Sequence, residues 1–152
     1  MKKTFLILAT YLSFFTAHAN SVLGGEITWA CNGNSQYVFQ LVLFADCSQP
    51  SLPDSSYNLA WSGGAPIVCN LADTSLISPT CGNSAYAINC DSTAFYTPVK
   101  RYVYQSVPMV LSGIMPSTGW SFSVHIQNRP DTDNTLDSTA NGYLLRAKIY
   151  PY

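Results

Sequence analysis

Apolar and polar residues alternate one by one through residues 120–127, which read WSFSVHIQ. Successive side chains of a β-strand point to opposite faces, so this alternation predicts a strand with one buried and one solvated face. Similar runs, rich in β-branched and aromatic residues, recur at residues 25–31, 36–44, 99–106 and 143–150. After residue 20, no stretch of ten residues or more has the 3.6-residue period of a helix. The sequence therefore predicts an all-β fold.

Clusters of turn-forming residues set the number of strands. Asn, Gly, Asn and Ser at residues 32–35 separate the first two strands, which predicts a β-hairpin. Prolines and polar residues predict loops at residues 47–56 and 79–98. Further short strands are predicted at residues 57–61, 66–71, 75–78 and 109–111. Seven or eight short strands at this spacing are typical of a β-sandwich or a barrel.

A corner between two sheets is predicted at residues 111–120, which read LSGIMPSTGW. Pro116 fixes its own φ, Gly113 and Gly119 permit tight turns, and Trp120 supplies a large apolar surface. The segment resembles the L-x-G-L-x-P-x-T-x-Y turn of fibronectin type III domains, with Trp120 in place of the tyrosine. The resemblance favours a single immunoglobulin/fibronectin type III-like β-sandwich, stapled by disulfides.

The beginning of the chain has the three-part pattern of a secretory signal peptide. Two lysines follow the initiator in residues 1–3, residues 5–15 are almost wholly apolar, and Ala17 and Ala19 fit a cleavage site. The apolar run is too short for a helix to cross the ~30 Å core of a bilayer. We expect cleavage after Ala19, which leaves residues 20–152 as one mature domain without a second membrane-spanning run.

The charge balance limits the class of partner. The chain has 7 Lys and Arg against 8 Asp and Glu, and Lys2 and Lys3 leave with the signal peptide. Nucleic acids and anionic membranes need clustered cations, so neither is a predicted partner. Charged residues make up only 10% of the chain, while Ser, Thr, Asn and Tyr are plentiful, as in extracellular β-domains. We expect a secreted or cell-surface location.

All five cysteines lie in the predicted mature domain, at Cys31, Cys47, Cys69, Cys81 and Cys90. In an oxidising compartment they predict disulfides with one cysteine left over. A zinc site is the alternative, but there is no C-x-x-C pair and only one mature histidine.

Strand geometry limits how these cysteines pair. Cys31 and Cys47 would lie roughly 35 Å apart at the two ends of an extended strand, which excludes a bond between them. Cys81 and Cys90 bracket a short loop of Gly, Asn and Ser that closes easily, so we expect Cys81–Cys90. The second expected pair is Cys47–Cys69.

Few residues offer catalytic chemistry. His125 is the only histidine of the mature domain, it sits in the middle of a predicted strand, and no G-x-S-x-G motif precedes it. A nucleophilic site needs a base held beside a Ser or Cys. We therefore interpret His125 as a structural or surface residue and expect neither an enzyme nor a cofactor.

Two groups of residues are weaker candidates for binding. Asp131, Asp133 and Asp137 lie in one loop and could offer oxygens to Ca²⁺, although the glycine and glutamate of an EF-hand are missing. Tyr102 and Tyr104 share one face of a strand. That face would either stack on a sugar or partner protein, or pack into the core, and the sequence favours packing.

Five segments in order resemble one protein family. They are GGEITW at residues 24–29, the strand from Gln36 to Asp46-Cys47, ISPTC at 77–81, VKRYVYQ at 99–105 and WSFS at 120–123. This string is similar to the domain that follows the signal peptide in large Bacteroidetes surface proteins associated with gliding motility and type nine secretion. Two departures stand out: Ala45 replaces an Arg, and Gln127-Asn128-Arg129-Pro130 replaces a Cys-Cys-Arg-Asn segment.

The resemblance implies a surface role and carries no catalytic residue. It implies that Cys31 stays unpaired or bonds to a second chain, because Gln127 and Asn128 replace family cysteines. The expected function is a structural or adhesive module, the first domain of a surface protein or a stand-alone or truncated version of it. Its partners would be other domains, surface proteins or surface polysaccharide. The alternative is a carbohydrate-binding β-sandwich, which requires two or three exposed, coplanar aromatic side chains.

Overall fold

The computed structural model describes residues 22–47, 53–78, 90, 98–127 and 142–151, and their regular secondary structure consists of β-strands alone. The eight strands are β1 Val22–Cys31, β2 Gln36–Asp46, β3 Ser56–Trp61, β4 Ile67–Leu76, β5 Val99–Ser106, β6 Met109–Val110, β7 Trp120–Ile126 and β8 Tyr143–Ile149. The prediction of an all-β chain is confirmed. Within these ranges, no helix is long and apolar enough to cross a membrane.

All strands pair antiparallel in the order β1-β2-β5-β4-β3-β7-β8, and β6 adds to β2. The two end strands of this order meet: the Tyr143 hydroxyl of β8 donates a hydrogen bond of 2.6 Å to the Val22 carbonyl of β1. At Gly25 of β1, an added Cβ would lie 3.0 Å from the Leu145 side chain of β8. The sheet therefore folds over itself into a sandwich with a barrel-like closure.

The predicted hairpin between β1 and β2 is present. The Asn32 N–H donates to the Gln36 carbonyl at 2.8 Å, and the Gln36 N–H donates to the Gly33 carbonyl at 3.0 Å. Gly33, Asn34 and Ser35 all have positive φ, a conformation that Gly and Asn adopt more easily than most residues. The turn sequence thus fixes the register that places Cys31 opposite Tyr37.

The predicted strands at residues 66–71 and 75–78 belong to one strand, β4. Its pairing with β5 shifts register between Leu71 and Asp73, which is the mark of a β-bulge. The extra residue interrupts the alternation of side chains, so the sequence resembles two strands although the ladder continues.

The core lies between the folded layers of the sheet. Phe39, Leu41 and Leu43 of β2 are wholly buried, as the alternation predicts for one face of a strand. Phe39 meets Phe122 of β7 with ring centroids 4.5 Å apart, which joins the two layers. Burial of such aromatic and aliphatic side chains is the main stabilising term of a domain of this size.

The predicted corner carries the chain from β6, beside β2, to β7, beside β3 and β8. The Gly119 N–H donates to the Pro116 carbonyl at 2.8 Å, and Gly113 and Gly119 have φ of 102° and 78°. Trp120 is buried, and its ring meets Trp61 edge to face at 5.6 Å. The large aromatic residue therefore anchors the strand that follows the corner, as predicted.

The predicted disulfide pairing is wrong, because Cys47 bonds to Cys90. Cys69 is free and buried in β4, where it lies opposite Ser106. The Cys47 N–H bonds to the Pro98 carbonyl at the other end of β5, so Cys47 and Cys69 lie roughly 25 Å apart along the sheet. With Cys90 bonded to Cys47, the expected Cys81–Cys90 bond does not form, and Cys81 itself lies outside the described residues.

Candidate functional site

The two tyrosines proposed as a binding face are core residues. Tyr102 is 3% exposed and Tyr104 is 0% exposed. Their strand partners are Leu43 and Leu41, which lie on the buried face of β2, so the pairing register turns both rings inward. The favoured prediction, that both rings pack into the core, is confirmed, and the alternative that they stack on a ligand is wrong.

Both tyrosine hydroxyls are buried without a hydrogen-bond partner in the part of the chain that the structure describes. Burial is the main cause that raises the pKa of Tyr102 and of Tyr104. The Tyr104 ring meets the Tyr57 ring edge to face at 5.0 Å. Tyr57 thus covers Tyr104 from the β3 side.

The remaining aromatic residues do not form a flat platform. Trp61 is half-buried and stacks on Phe122 at an interplanar angle of 5° and a centroid distance of 6.4 Å. An added Cβ on Gly63 or Gly64 would lie 2.6 Å from the Trp61 indole, so the β3–β4 turn covers that ring closely. Trp29, in β1, is 38% exposed and pairs with Phe39 of β2.

A groove of about 750 Å³ opens between β3 and β7. The two strands pair at Ala60 with Ser123 and at Trp61 with Phe122, and there the ladder ends. Beyond this point the strands diverge, and the residues that would have continued the ladder line the groove instead.

Strand alternation positions the side chains of the groove. Ser56, Asn58 and Ala60 of β3 point outward, and Ser123 and His125 of β7 do the same on the opposite rim. The inward residues Tyr57 and Val124 form the floor between the rims, and Asp54, Gln127 and Leu144 complete the lining. A polar rim around an aromatic and aliphatic floor is typical of a binding site.

The electrostatics of the groove centre on Asp54. Burial raises the pKa of the Tyr57 hydroxyl, and the Asp54 carboxylate raises it further, while a hydrogen bond from the Asp54 backbone lowers it. The same carboxylate contributes to the raised pKa of Tyr104. Among the described residues that line the groove, none is a Lys or an Arg, so the carboxylate suits a cationic group.

His125 is exposed on the outer face of β7, as its interpretation as a surface residue predicts. Asp54, Ser56 and Ser123 line the same groove, so the residue types of a catalytic triad are present. Within the described ranges, however, no hydrogen bond joins His125 to any of them. Nucleophilic catalysis would need the imidazole to be oriented as a base beside its nucleophile.

The loop candidates for calcium, Asp131, Asp133 and Asp137, lie outside the described residues. In the ranges that the structure describes, no three His, Cys, Asp or Glu side chains come together as a metal site.

The groove is not among the sites that the sequence predicts. Asp54 precedes β3 in a predicted loop, and Asn58 and His125 are far apart in the chain. Their proximity depends on the pairing of β3 with β7, which no local pattern encodes. The alternation of β7 does place His125 and Ser123 together on one face, and that was the only available indication.

No protein-family model, curated protein or solved structure matches this chain.

Proposed function

We propose that this chain is an exported, non-enzymatic binding module of the cell surface with a structural or adhesive role. The observation that carries the proposal is the groove between β3 and β7, whose polar rim surrounds Tyr57 and Val124. Such a site binds a partner without needing a reactive group. The partners proposed are surface proteins, neighbouring domains or surface polysaccharide.

Two features support export. The Cys47–Cys90 disulfide suits an oxidising compartment, where such bonds persist. The basic, apolar and small-residue pattern of residues 1–19 is that of a signal peptide. Together they favour a protein that acts outside the cytoplasm.

We also propose that the module is the first domain of a gliding-motility-associated surface protein of Bacteroidetes, or a stand-alone or truncated version of that domain. The proposal rests on the segments named above. Of these, the GGEITW segment contains Gly25, at which a side chain would overlap the Val42 carbonyl and the Leu43 side chain. The β-sandwich therefore requires glycine at this position, which supports the interpretation of GGEITW as a segment that specifies the fold.

An attachment assay tests the adhesive role. Beads coated with the exported protein are expected to bind the cells that produce it, and free protein should compete. Ala60→Arg places a bulky cation on the groove rim and should abolish most of the attachment. Val110→Arg is the matched control, because Val110 is 56% exposed on β6 and does not line the groove. Equal attachment by both variants would assign adhesion to another surface.

The non-enzymatic part has its own test. Neither the original protein nor His125→Ala should hydrolyse ester, peptide or glycoside substrates, because no hydrogen bond to a described residue orients the imidazole as a base. A hydrolytic activity that is present in the original protein and lost in this variant would contradict the proposal.

Carbohydrate binding is the second candidate, and the neutral amides of the groove favour it. Asn58 and Gln127 line the groove beside Tyr57, and sugars are commonly held by amide hydrogen bonds next to an aromatic ring. A glycan array probed with the exported protein should then give signals that Asn58→Ala removes. Signals that persist in Asn58→Ala would place the sugar elsewhere.

A further inference from the structure

The open part of the groove has unpaired strand edges on both sides. Among the described residues, β3 pairs only with β4 from Ser56 to Leu59, and β7 pairs only with β8 from Val124 to Ile126. The edges that face each other across the groove therefore carry main-chain groups without a ladder partner in that part of the chain. Unpaired strand edges are templates for pairing with another strand.

Hydrogen bonds on both sides of β3 show which groups face the groove. The Ser62 N–H donates to the Ser121 carbonyl at 3.0 Å, and on the other side the Leu71 N–H donates to the Ser55 carbonyl at 2.9 Å. Main-chain groups alternate between the two edges of a strand. Both bonds therefore assign the N–H and C=O of Ser56 and Asn58 to the groove.

The same alternation applies to β7. The Ser121 carbonyl accepts a hydrogen bond from β3, so the main-chain groups of every second residue after it, Ser123, His125 and Gln127, face the same edge. The groove thus presents a row of main-chain donors and acceptors on each side, above a floor of Tyr57 and Val124. Only another polypeptide backbone supplies N–H and C=O groups at ladder spacing along two edges at once.

We propose that the groove between β3 and β7 accepts an extended segment of a partner polypeptide as an added strand. Since β3 and β7 are antiparallel, the segment would run antiparallel to one and parallel to the other, as in mixed sheets. One apolar side chain of the segment covers Tyr57 and Val124. The proposal rests on the proposed binding function and specifies its ligand class.

Charge specifies the partner further. Asp54 lines the groove without a Lys or an Arg among the other described lining residues, and its carboxylate lies close enough to influence the pKa of Tyr57. A Lys or Arg of the inserted segment would neutralise it. The partner is therefore an extended segment with alternating apolar residues and a cation near one end.

The test is a selection from a displayed library of random ten-residue peptides, with the exported protein as the bait. We expect enriched peptides to alternate apolar and polar residues and to contain a Lys or an Arg. Asp54→Asn should weaken binding of the enriched peptides by about two- to fivefold, as expected for loss of one exposed charged pair. Asp73→Asn is the control and should leave binding unchanged, because Asp73 is exposed on β4 and does not line the groove.

Two substitutions of one residue separate backbone recognition from side-chain recognition. Asn58→Pro removes an N–H that faces the groove, whereas the ladder with β4 does not use that N–H, so peptide binding should be lost while the fold is retained. Asn58→Ala keeps the N–H and should retain peptide binding. Amide spectra and thermal unfolding check that each variant folds. If Asn58→Pro does not fold, Asp54→Asn serves as the second test.

Each other outcome overturns the proposal. Loss of binding in Asn58→Ala would indicate recognition of the amide side chain, as for a sugar. Concentration-dependent dimers that Asn58→Pro disrupts would make a second copy of this chain the occupant. A library without enriched peptides would reject the inserted strand. If cells still attach to Val110→Arg beads and not to Ala60→Arg beads, the adhesive function would stand without the inserted strand.

Discussion

Three tyrosine hydroxyls of the described residues differ in whether they have a hydrogen-bond partner. Those of Tyr102 and Tyr104 are buried without one among the described residues, whereas the Tyr143 hydroxyl bonds to the Val22 carbonyl at 2.6 Å. A buried polar group without a partner keeps the cost of its desolvation, and a bonded one offsets it. The two kinds therefore predict opposite effects of the same chemical change.

Tyr104→Phe is expected to leave the protein as stable as before or to stabilise it by about 1 kcal/mol, because it removes a hydroxyl with no partner. Tyr143→Phe is the matched change and should destabilise by about 1 kcal/mol, because it removes the bond between β8 and β1. Urea unfolding of both variants measures the difference. A clear loss of stability in Tyr104→Phe would mean that its hydroxyl has a partner after all.

The buried thiol of Cys69 predicts how stability depends on pH. Burial raises the pKa of this thiol from 9.0 to about 11. Because the folded-state pKa is the higher one, the stabilisation is fully present below pH 9 and is lost as the pH rises from 9 to about 11. The loss over this window should be on the order of 2 kcal/mol.

Cys69→Ala identifies this contribution. Denaturant unfolding between pH 8 and pH 10.5, with Cys31→Ser and Cys81→Ser in both proteins to limit thiol–disulfide exchange, should show a smaller decline in the variant. The buried site is close-packed, so the variant will start from a lower stability, and the slope with pH is the quantity to compare. An identical slope in both proteins would show that Cys69 titrates normally.

At the scale of elements, β1 depends on close contact with its neighbours. An added Cβ at Gly25 would overlap the Val42 carbonyl and lie 2.7 Å from a Leu43 methyl carbon, whereas Gly24 has nothing within 4 Å. The first position has no room for a side chain, and the second faces open space. The close packing of β1 against β2 and β8 therefore requires glycine at position 25 but not at position 24.

Gly25→Ala should destabilise the protein by about 2 kcal/mol, within the usual range for overpacking. Gly24→Ala should have little effect, or a small stabilising one through the unfolded chain. Thermal unfolding of the two variants under identical conditions makes the comparison. Similar melting temperatures for both would mean that β1 shifts easily against β2 and β8.

Local patterns were sufficient for most strands, but they do not decide which face is buried. Val99–Ser106 was predicted as a strand with Tyr102 and Tyr104 on one face, and the structure confirms both. Val103 on the other face is buried too, so alternation alone could not show whether the tyrosines face a ligand or the core. Only the pairing with Leu41 and Leu43 decides it.

At the scale of the whole molecule, the unpredicted features are those made by contacts between distant segments. Cys90 reaches Cys47 across a sequence separation of 43, and β3 reaches β7 only after the corner has carried the chain to the other layer. The hairpin turn and the corner were predictable because Gly, Asn and Pro act locally. The disulfide and the groove were not, because they depend on how the strands are ordered in the sheet.

Peptide mapping of the secreted protein is the sharpest test of the proposal that this chain is an exported β-sandwich with a disulfide between Cys47 and Cys90. Free thiols are blocked on the intact cells and medium, and the protein is digested without reduction. We predict an N-terminus at Asn20, a linked Cys47–Cys90 peptide, and blocked thiols at Cys31 and, after unfolding, at Cys69. Recovery only from the cytoplasm, with Met1 present and Cys47 blocked, would contradict the account.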